Sequence, residues 1–324
     1  MHSSIAFFNS LNDNSIMKII FFGTPDICLP TLESLAKNSD VDILAVFTQP
    51  DKPVGRKQTL TPPAVKILAQ ELEIKVYQPE TSAELAEQLG NFDADFFLVF
   101  AYGMILKKNI LDMPKYGAIN IHTSLLPKYR GASPIQQALM NGDETTGLSF
   151  IKMDEKMDHG DIYLIKRVPI APTDDLTRLT QKLAMVSGEI TYFTLKDIEE
   201  GTLKPLSQNH AQATYCKKIN KEDGEINWEK SAEEIKNMIR AYNPWPSTYM
   251  ELLGKKCKII EAEIEESKNL EPGKIQLHGK TLAIGTKKGV LLPQKIQIEG
   301  KNVMNIGDFI NGNQKALAEA SKPE

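Results

Sequence analysis

Cysteine is scarce in this 324-residue chain, with only Cys28, Cys216 and Cys257 present. An odd number of thiols so widely spaced excludes a disulfide framework and a cysteine-rich metal knuckle, and it predicts reduced thiols in a cytoplasmic protein. Long hydrophobic runs are also lacking. No stretch approaches the roughly 18 apolar residues of a membrane span, so no membrane partner is expected. The opening "MHSSIAFFNSLNDNS" has no basic region and no small-residue cleavage pattern, which makes it a poor signal peptide. Since "MKIIFFGTPD" from Met17 begins as a first strand begins, residues 1–16 are expected to be a disordered extension or an upstream start.

A strong excess of positive charge is missing too. The net charge of −4 argues against a protein that coats nucleic acid. The balance is uneven, however: residues 206–324 carry 18 Lys and Arg against 16 Asp and Glu, or +2, which leaves −6 for residues 1–205. The C-terminal third is thus the more basic part.

What is present is an ordinary globular composition, 41% hydrophobic and 25% charged, in a length that suggests about two domains. From Met17 onward strand-like and helix-like runs alternate: "KIIFFG" then "LPTLESLAKN", "VDILAVFTQ" then "PAVKILAQELE", "ADFFLVFAYG" then "KKNILDMP", and "GAINIH" then "SPIQQALM". The strands are near-continuous apolar runs, as a parallel sheet covered by helices on both faces requires. The expected architecture is an α/β, doubly wound, mostly parallel sheet, whose ligands would sit at the carboxyl ends of its strands. Two further strands, "TTGLSFIKMDE" and "DIYLIKRVPI", flank the loop "KMDHG", and a long amphipathic stretch ends at Gly201. The segment "TLKPLSQNHAQATY" then loses periodicity and reads as a linker. Beyond it one helix, "SAEEIKNMIRAYN", and several short strands with Gly and Pro turns predict a small β-barrel or sandwich. The boundaries expected are 17–203, a linker over 204–221, and a C-terminal domain over 222–318.

The stretch "GAINIHTSLLPKYRGASPIQ", residues 117–136, concentrates the chemistry. Along a strand of period two, Asn120 and His122 share a face, and Pro127 ends the strand. The residues alone leave two readings open, a satisfied polar pair in a buried strand or a pair of donors at a sheet edge. "FFGTPD" lacks two glycines of a dinucleotide fingerprint and reads better as a strand end lining a cleft. Asp158, before His159 and Gly160, is by itself most simply a turn residue. A metal site from His122, Asp158 and His159 has no dense ligand spacing and no H-E-x-x-H pattern behind it, so no metal is expected.

Taken together, "FFGTPD", "FTQPDKPVGR", "AYGMIL", "INIHTSLLPKYRGASPIQ" and "MDHGDI" resemble, in order, the formyltransferases that use 10-formyltetrahydrofolate. The similarity covers nearly the whole chain from Met17. "SLLP" is shared with family members acting on small molecules, whereas "ATYCKKINKEDGEINW", "RAYNPWPSTY" and the Pro-Gly-Arg loop from Gln49 to Leu60 pull toward members acting on charged tRNA. The "KQTLTPP" that follows Arg56 is less basic than in some relatives. The resemblance implies a Rossmann-like catalytic domain followed by an OB-like barrel that grips RNA, with 10-formyltetrahydrofolate as co-substrate and initiator methionyl-tRNA as partner, in a monomer. It implies Asn120, His122 and Asp158 as catalytic residues, Ser124, Leu125, Leu126 and Pro127 as the folate turn, and Arg56 on a loop near the tRNA acceptor end.

That set suits attack of a neutral amine on a formyl carbon. The tetrahedral adduct carries charge on oxygen and wants fixed donors, which Asn120 and His122 would supply. Asp158 would orient the imidazole and favour its charged form. A small-molecule formyltransferase or hydrolase is the nearest rival, which the C-terminal domain opposes. A non-enzymatic nucleotide- or RNA-binding α/β protein is the other, which the Asn-His-Asp set opposes. A cut near Pro205 is expected to leave folate binding intact, since all of these residues precede it.

Overall fold

The computed structural model describes residues 16–55 and 57–321. The stretch 1–15 of the expected extension and Arg56 lie outside the described residues. The chain divides into two compact units, one running up to Asn120 and including Gly188–Thr202, the other comprising Ile121–Ser187 and Leu203–Glu324.

In the first unit the order is β1 (Met17–Gly23), α1 (Leu29–Ala36), β2 (Val41–Phe47), a hairpin of β3 (Lys52–Val54) and β4 (Thr59–Thr61), α2 (Ala64–Glu71), β5 (Val76–Tyr77), α3 (Ser82–Leu89), β6 (Phe96–Phe100), α4 (Lys108–Leu111) and β7 (Ala118–His122). The sheet runs β7-β6-β1-β2-β5, and every pairing is parallel. All five side chains of β6 are buried, and on β1 only Lys18 is exposed. This is why those strands read as unbroken apolar runs. Phe22 stacks on Phe47 at 5.2 Å between ring centroids, and Phe47 stacks on Tyr77 at 4.9 Å, which ties β1, β2 and β5 across one face. Burying each such ring contributes about 2 kcal/mol. Asp51, in "FTQPDK", takes hydrogen bonds from Lys66 at 2.8 Å and Gln78 at 2.8 Å, so this part of the motif anchors the base of the hairpin. The helix α3 was not visible as a periodic run. Its signal is the cap: Thr81 accepts from the Glu84 N–H at 3.2 Å, and Glu84 reaches back to the Glu80 N–H at 2.9 Å.

Strand β7 leaves the first unit at Asn120 and enters the second at Ile121. There follow β8 (Arg130–Gly131), α5 (Pro134–Met140), and the antiparallel pair β9 (Thr145–Lys152) and β10 (Ile162–Pro169), with β9 next to β7 in strand order. The long α6 (Leu176–Glu199) begins in this unit and ends in the first, stopping before Gly201, whose φ of 71° suits glycine.

The segment read as a linker is irregular but not loose. Its β11 (Tyr215–Cys216) pairs with β8 in parallel, and the Gly131 backbone lies so close to the Cys216 carbonyl that a Cβ there would sit at 2.2 Å from it. Next come α7 (Ala232–Tyr242), β12 (Thr248–Leu252), β13 (Lys255–Glu265), β14 (Ile275–His278), β15 (Thr281–Gly285), β16 (Val290–Ile298), β17 (Met304–Asn305) and α8 (Ile306–Ala320). The sheet order is β12-β13-β16-β15-β14, antiparallel throughout, with β17 on β16. Helix α7 starts with a capping box of Ser231 and Glu234. Ile235 and Ile239 of α7 join Cys257, Ile259, Leu282, Ile284, Leu291 and Ile296 of the sheet and Phe309 and Leu317 of α8 in one core. The sequence reading found a single helix here. Gly307, Gly312 and two asparagines lower the helix propensity of α8, and its backbone breaks at Asn313.

The thiols are as expected: all three cysteines are free and buried, and burial pushes Cys28 and Cys257 up to about 12. No helix among the described residues is long and apolar enough to cross a membrane.

Candidate active site

The expected residues fall at the end of β7 and around it. Asn120 is half-buried on β7, two residues before His122, and among the described residues its carboxamide makes no hydrogen bond. His122 is 6% exposed. Its Nε2 lies 2.9 Å from the Tyr129 carbonyl. A carbonyl only accepts, so Nε2 carries a proton and the ring orientation is set. Nδ1 faces Asp158 Oδ1 at 3.5 Å, and Asp158 Oδ2 accepts from the Gly131 N–H at 2.8 Å. Asp158 is therefore not merely a turn residue, since its carboxylate is directed between β8 and the imidazole.

Both ring nitrogens of His122 thus face protein acceptors, which refines the expectation of a free imidazole N–H. The two contacts are unequal. The 2.9 Å bond to Tyr129 is a good hydrogen bond, whereas 3.5 Å to Asp158 is an ion-pair distance, longer than a good hydrogen bond. Nδ1 is the less committed of the two ring nitrogens.

The backbone around this pair is in unusual conformations. Tyr129 and Asp158 have φ of 59° and 50°, in the left-handed region that non-glycine residues rarely adopt. Each is restrained. The Tyr129 N–H donates to Thr214 Oγ1 at 2.9 Å, and its hydroxyl donates to Asp143 at 2.7 Å and accepts from Asn141. Burial, followed by the Asp143 bond, pushes the Tyr129 phenol up to about 12. Gly160 lies at a bend and also serves a close approach, because a Cβ there would lie 1.7 Å from the Lys152 carbonyl.

The "SLLP" turn is fastened to β9. Ser149 Oγ donates to the Ser124 carbonyl at 2.7 Å and accepts from the Leu126 N–H at 3.1 Å. Ser124 spends its own hydroxyl on the Lys128 carbonyl and is fully buried, as is nearly all of Leu126, while Leu125 and Pro127 stay half-exposed. Of the neighbouring residues, His159 pairs with Asp154 at 2.6 Å and Asp161 accepts from Ser207 at 2.9 Å. Among the described residues no group of three or more His, Cys, Asp or Glu is arranged to hold a metal ion.

Sequence reasoning missed the residues behind the site. Arg130, 2% exposed, directs Nη2 to Gln208 Oε1 at 2.6 Å and to His210 Nδ1 at 2.8 Å. Gln208 and His210 lie in the aperiodic connector, where periodicity offers no signal for them.

Residues 17–194 match the formyl transferase family, and residues 218–314 match the formyl transferase C-terminal domain. This chain belongs to the formyl transferase family. The family's N-terminal match contains Asn120, His122, the 124–127 turn and Asp158. Among relatives of this formyl transferase, a methionyl-tRNA formyltransferase of Agathobacter rectalis is 44% identical over 300 residues, 91% of this chain and 96% of the relative. One of Listeria innocua is 43% identical over 310 residues, 94% of this chain and 98% of the relative. A solved sugar 3N-formyl transferase, WlaRD, in the presence of dTDP and 5-N-formyl-THF, superposes with a TM-score of 0.65 at 22% identity, over 89% of this chain and 99% of that one. At that identity the likeness speaks for the fold alone.

Proposed function

We propose that this formyl transferase carries the formyl group of 10-formyltetrahydrofolate to the methionine amine of initiator methionyl-tRNA, giving N-formylmethionyl-tRNA for translation initiation. The observation that carries the reading is the His122–Asp158 pair, fixed by backbone groups at Tyr129 and Gly131, two residues beyond an Asn120 carboxamide with uncommitted donors. Identity of 43–44% to methionyl-tRNA formyltransferases over 91–94% of the chain supports the acceptor, and the folate derivative named with WlaRD supports the donor class.

In this reading the methionine nitrogen attacks the formyl carbon, and a tetrahedral adduct forms. The Asn120 amide N–H and His122 Nδ1–H donate to its oxygen, where charge develops. Asp158 holds the imidazole and takes the proton that the amine nitrogen sheds once it has bonded to the formyl carbon, directly or through water. The C–N bond to the folate then breaks, N10 receives a proton, and tetrahydrofolate leaves. No step requires a metal.

Leu125 and Pro127 offer the folate an apolar surface, while Ser124 and Leu126 shape the turn. Residues 17–203 perform the transfer, 204–221 connect, and 222–318 hold the RNA through its phosphates, with Arg56 near the acceptor end. The enzyme acts as a monomer in the cytoplasm.

The test is to incubate the purified chain with 10-formyltetrahydrofolate and either methionyl-tRNA or a panel of aminosugar nucleotides and small amines. Formylmethionine recovered from the tRNA supports the reading. Transfer only to a small amine, or release of formate alone, overturns it. The affinity for tRNA should also fall linearly with salt on logarithmic axes, because phosphate contacts release counterions.

A further inference from the structure

The geometry points to Gln208, in the connector, as a positioning residue that holds the Asp158 loop in register with His122. The inference rests on the reading of His122 and Asp158 as the transfer site. Gln208 is 5% exposed and spends its side chain fully on this arrangement. Its Oε1 accepts from Arg130 Nη2 at 2.6 Å, and its Nε2 donates to the carbonyls of Asp158 at 2.9 Å and Gly160 at 2.7 Å. One of those carbonyls belongs to the residue whose carboxylate faces His122, and the other lies two residues further along the same loop. Asp158 occupies the left-handed region at φ 50°, a conformation that persists in a non-glycine residue only when its surroundings impose it. Gly131 restrains its carboxylate and Gln208 its backbone.

Arg130 explains why the amide points the way it does. An amide can present either end to a loop, but a guanidinium only donates, so it must face Oε1. With Oε1 committed to Arg130, both N–H groups of Gln208 are turned to the loop carbonyls. A buried cation is costly unless its hydrogen bonds are met. Among the described residues Arg130 has no carboxylate at ion-pair distance, and its Nε is buried without a partner. The cost is tolerable if the cation fixes the orientation of the residue beside the transfer site.

Two substitutions separate positioning from simple filling. Gln208→Glu keeps the acceptor for Arg130 but has no N–H for the loop. Gln208→Met keeps the volume and removes all three bonds. Formyl transfer to methionyl-tRNA, read as kcat, should fall on the order of 10- to 100-fold in both, as expected for a displaced catalytic group, with KM for the folate little changed and the pH profile of kcat altered. Hydrogen exchange at the Gly131 amide, which donates to Asp158, should accelerate in substrate-free Gln208→Glu while exchange in β1 stays as in the parent. A Gln208→Glu protein with the parent's kcat and pH profile overturns the inference, and so does unchanged exchange at Gly131. If the parent itself fails to formylate methionyl-tRNA, the functional reading falls, and the exchange measurement still decides whether Gln208 holds the loop.

Discussion

Two short regions of the second unit meet at the site and could hardly differ more in sequence character. The stretch from Ile121 to Ser133 carries a strand, a proline-ended turn and an imidazole, residue types that announce chemistry. The connector from Leu203 to Lys218 carries ordinary polar residues with no periodicity. Yet the connector supplies much of what fixes the first. Thr214 takes the Tyr129 N–H and its carbonyl takes the Arg130 N–H, Cys216 pairs beside Gly131, the Lys217 carbonyl takes the Ser133 hydroxyl at 2.9 Å, and Gln208 holds Asp158. The comparison teaches that reacting groups and the groups that aim them need not share a legible pattern, because aiming uses backbone carbonyls and any side chain of the right length.

Truncation tests that division most severely. The sequence alone suggested that a chain ending near Pro205 would keep folate binding. The structure argues against it, since such a cut removes every connector residue just named. A chain ending at Pro205 should lose folate binding and cooperative unfolding, while one ending at Lys221 should retain more of both. The second cut still exposes α5, against which α7 packs, and removes Arg240, which donates to the Asp174 carbonyl at 2.7 Å. Isothermal titration with the folate, on both fragments and the full chain, decides the matter. Equal affinity in the shorter fragment would mean that the connector does not support the site.

Substitutions on the other side of the comparison come next in size. His122→Ala and Asn120→Ala should each lower turnover by about 100-fold or more, on the order of 3 kcal/mol of transition-state stabilisation, with folate affinity within a few-fold of the parent. Near-normal turnover in both would remove these residues from the chemistry. Asp158→Asn should cost less, about 10- to 100-fold. The amide can still accept from Gly131 through its oxygen, but its NH2 then faces Nδ1 of His122, leaving that nitrogen as an acceptor with no proton to give. Stopped-assay rates across a pH series provide the check, and a profile superimposable on the parent's would assign Asp158 to structure.

Legibility in the sequence follows the same line. The strands β1 and β6 were readable because burial on both faces demands near-continuous apolar runs, and Asn120 and His122 were readable because a strand's period of two puts them on one face. Helix α3 was missed although Thr81 and Glu84 signal its start, because its eight residues are too short for a clear stripe. Helix α8 was missed because two glycines and two asparagines interrupt its pattern. The connector was read as slack for a different reason. Its order comes from partners far away in sequence, such as Thr214 with Tyr129, 85 residues apart, and no local pattern encodes those. The double commitment of the His122 ring was equally invisible, since it depends on the left-handed backbone at Tyr129.

The smallest effect expected is a pH dependence of stability from the connector's histidine. His210 Nδ1 accepts from Arg130 at 2.8 Å, and its ring lies flat on His159 with centroids 4.0 Å apart. Desolvation of the stacked ring, with the nearby charges of His159, Arg130 and Lys156, lowers its proton affinity below the ordinary histidine value, and Asp154 opposes this only in part. Protonating Nδ1 would set an N–H against the guanidinium that donates to it. The unfolded chain therefore takes up this proton near pH 6.5 while the folded chain resists until lower pH, so stability is complete above about 6.5 and declines as pH falls through the folded value. In His210→Asn the amide oxygen can accept from Arg130 in place of Nδ1 and does not titrate. Its melting temperature should lie slightly below the parent's at pH 8, where the ring stack is lost, and should fall less steeply between pH 7 and pH 5. Calorimetry of both proteins across that window checks it. Parallel curves would show that His210 covers Arg130 without sensing protons, and would confine the connector's influence on the site to Gln208 and the backbone bonds around Tyr129.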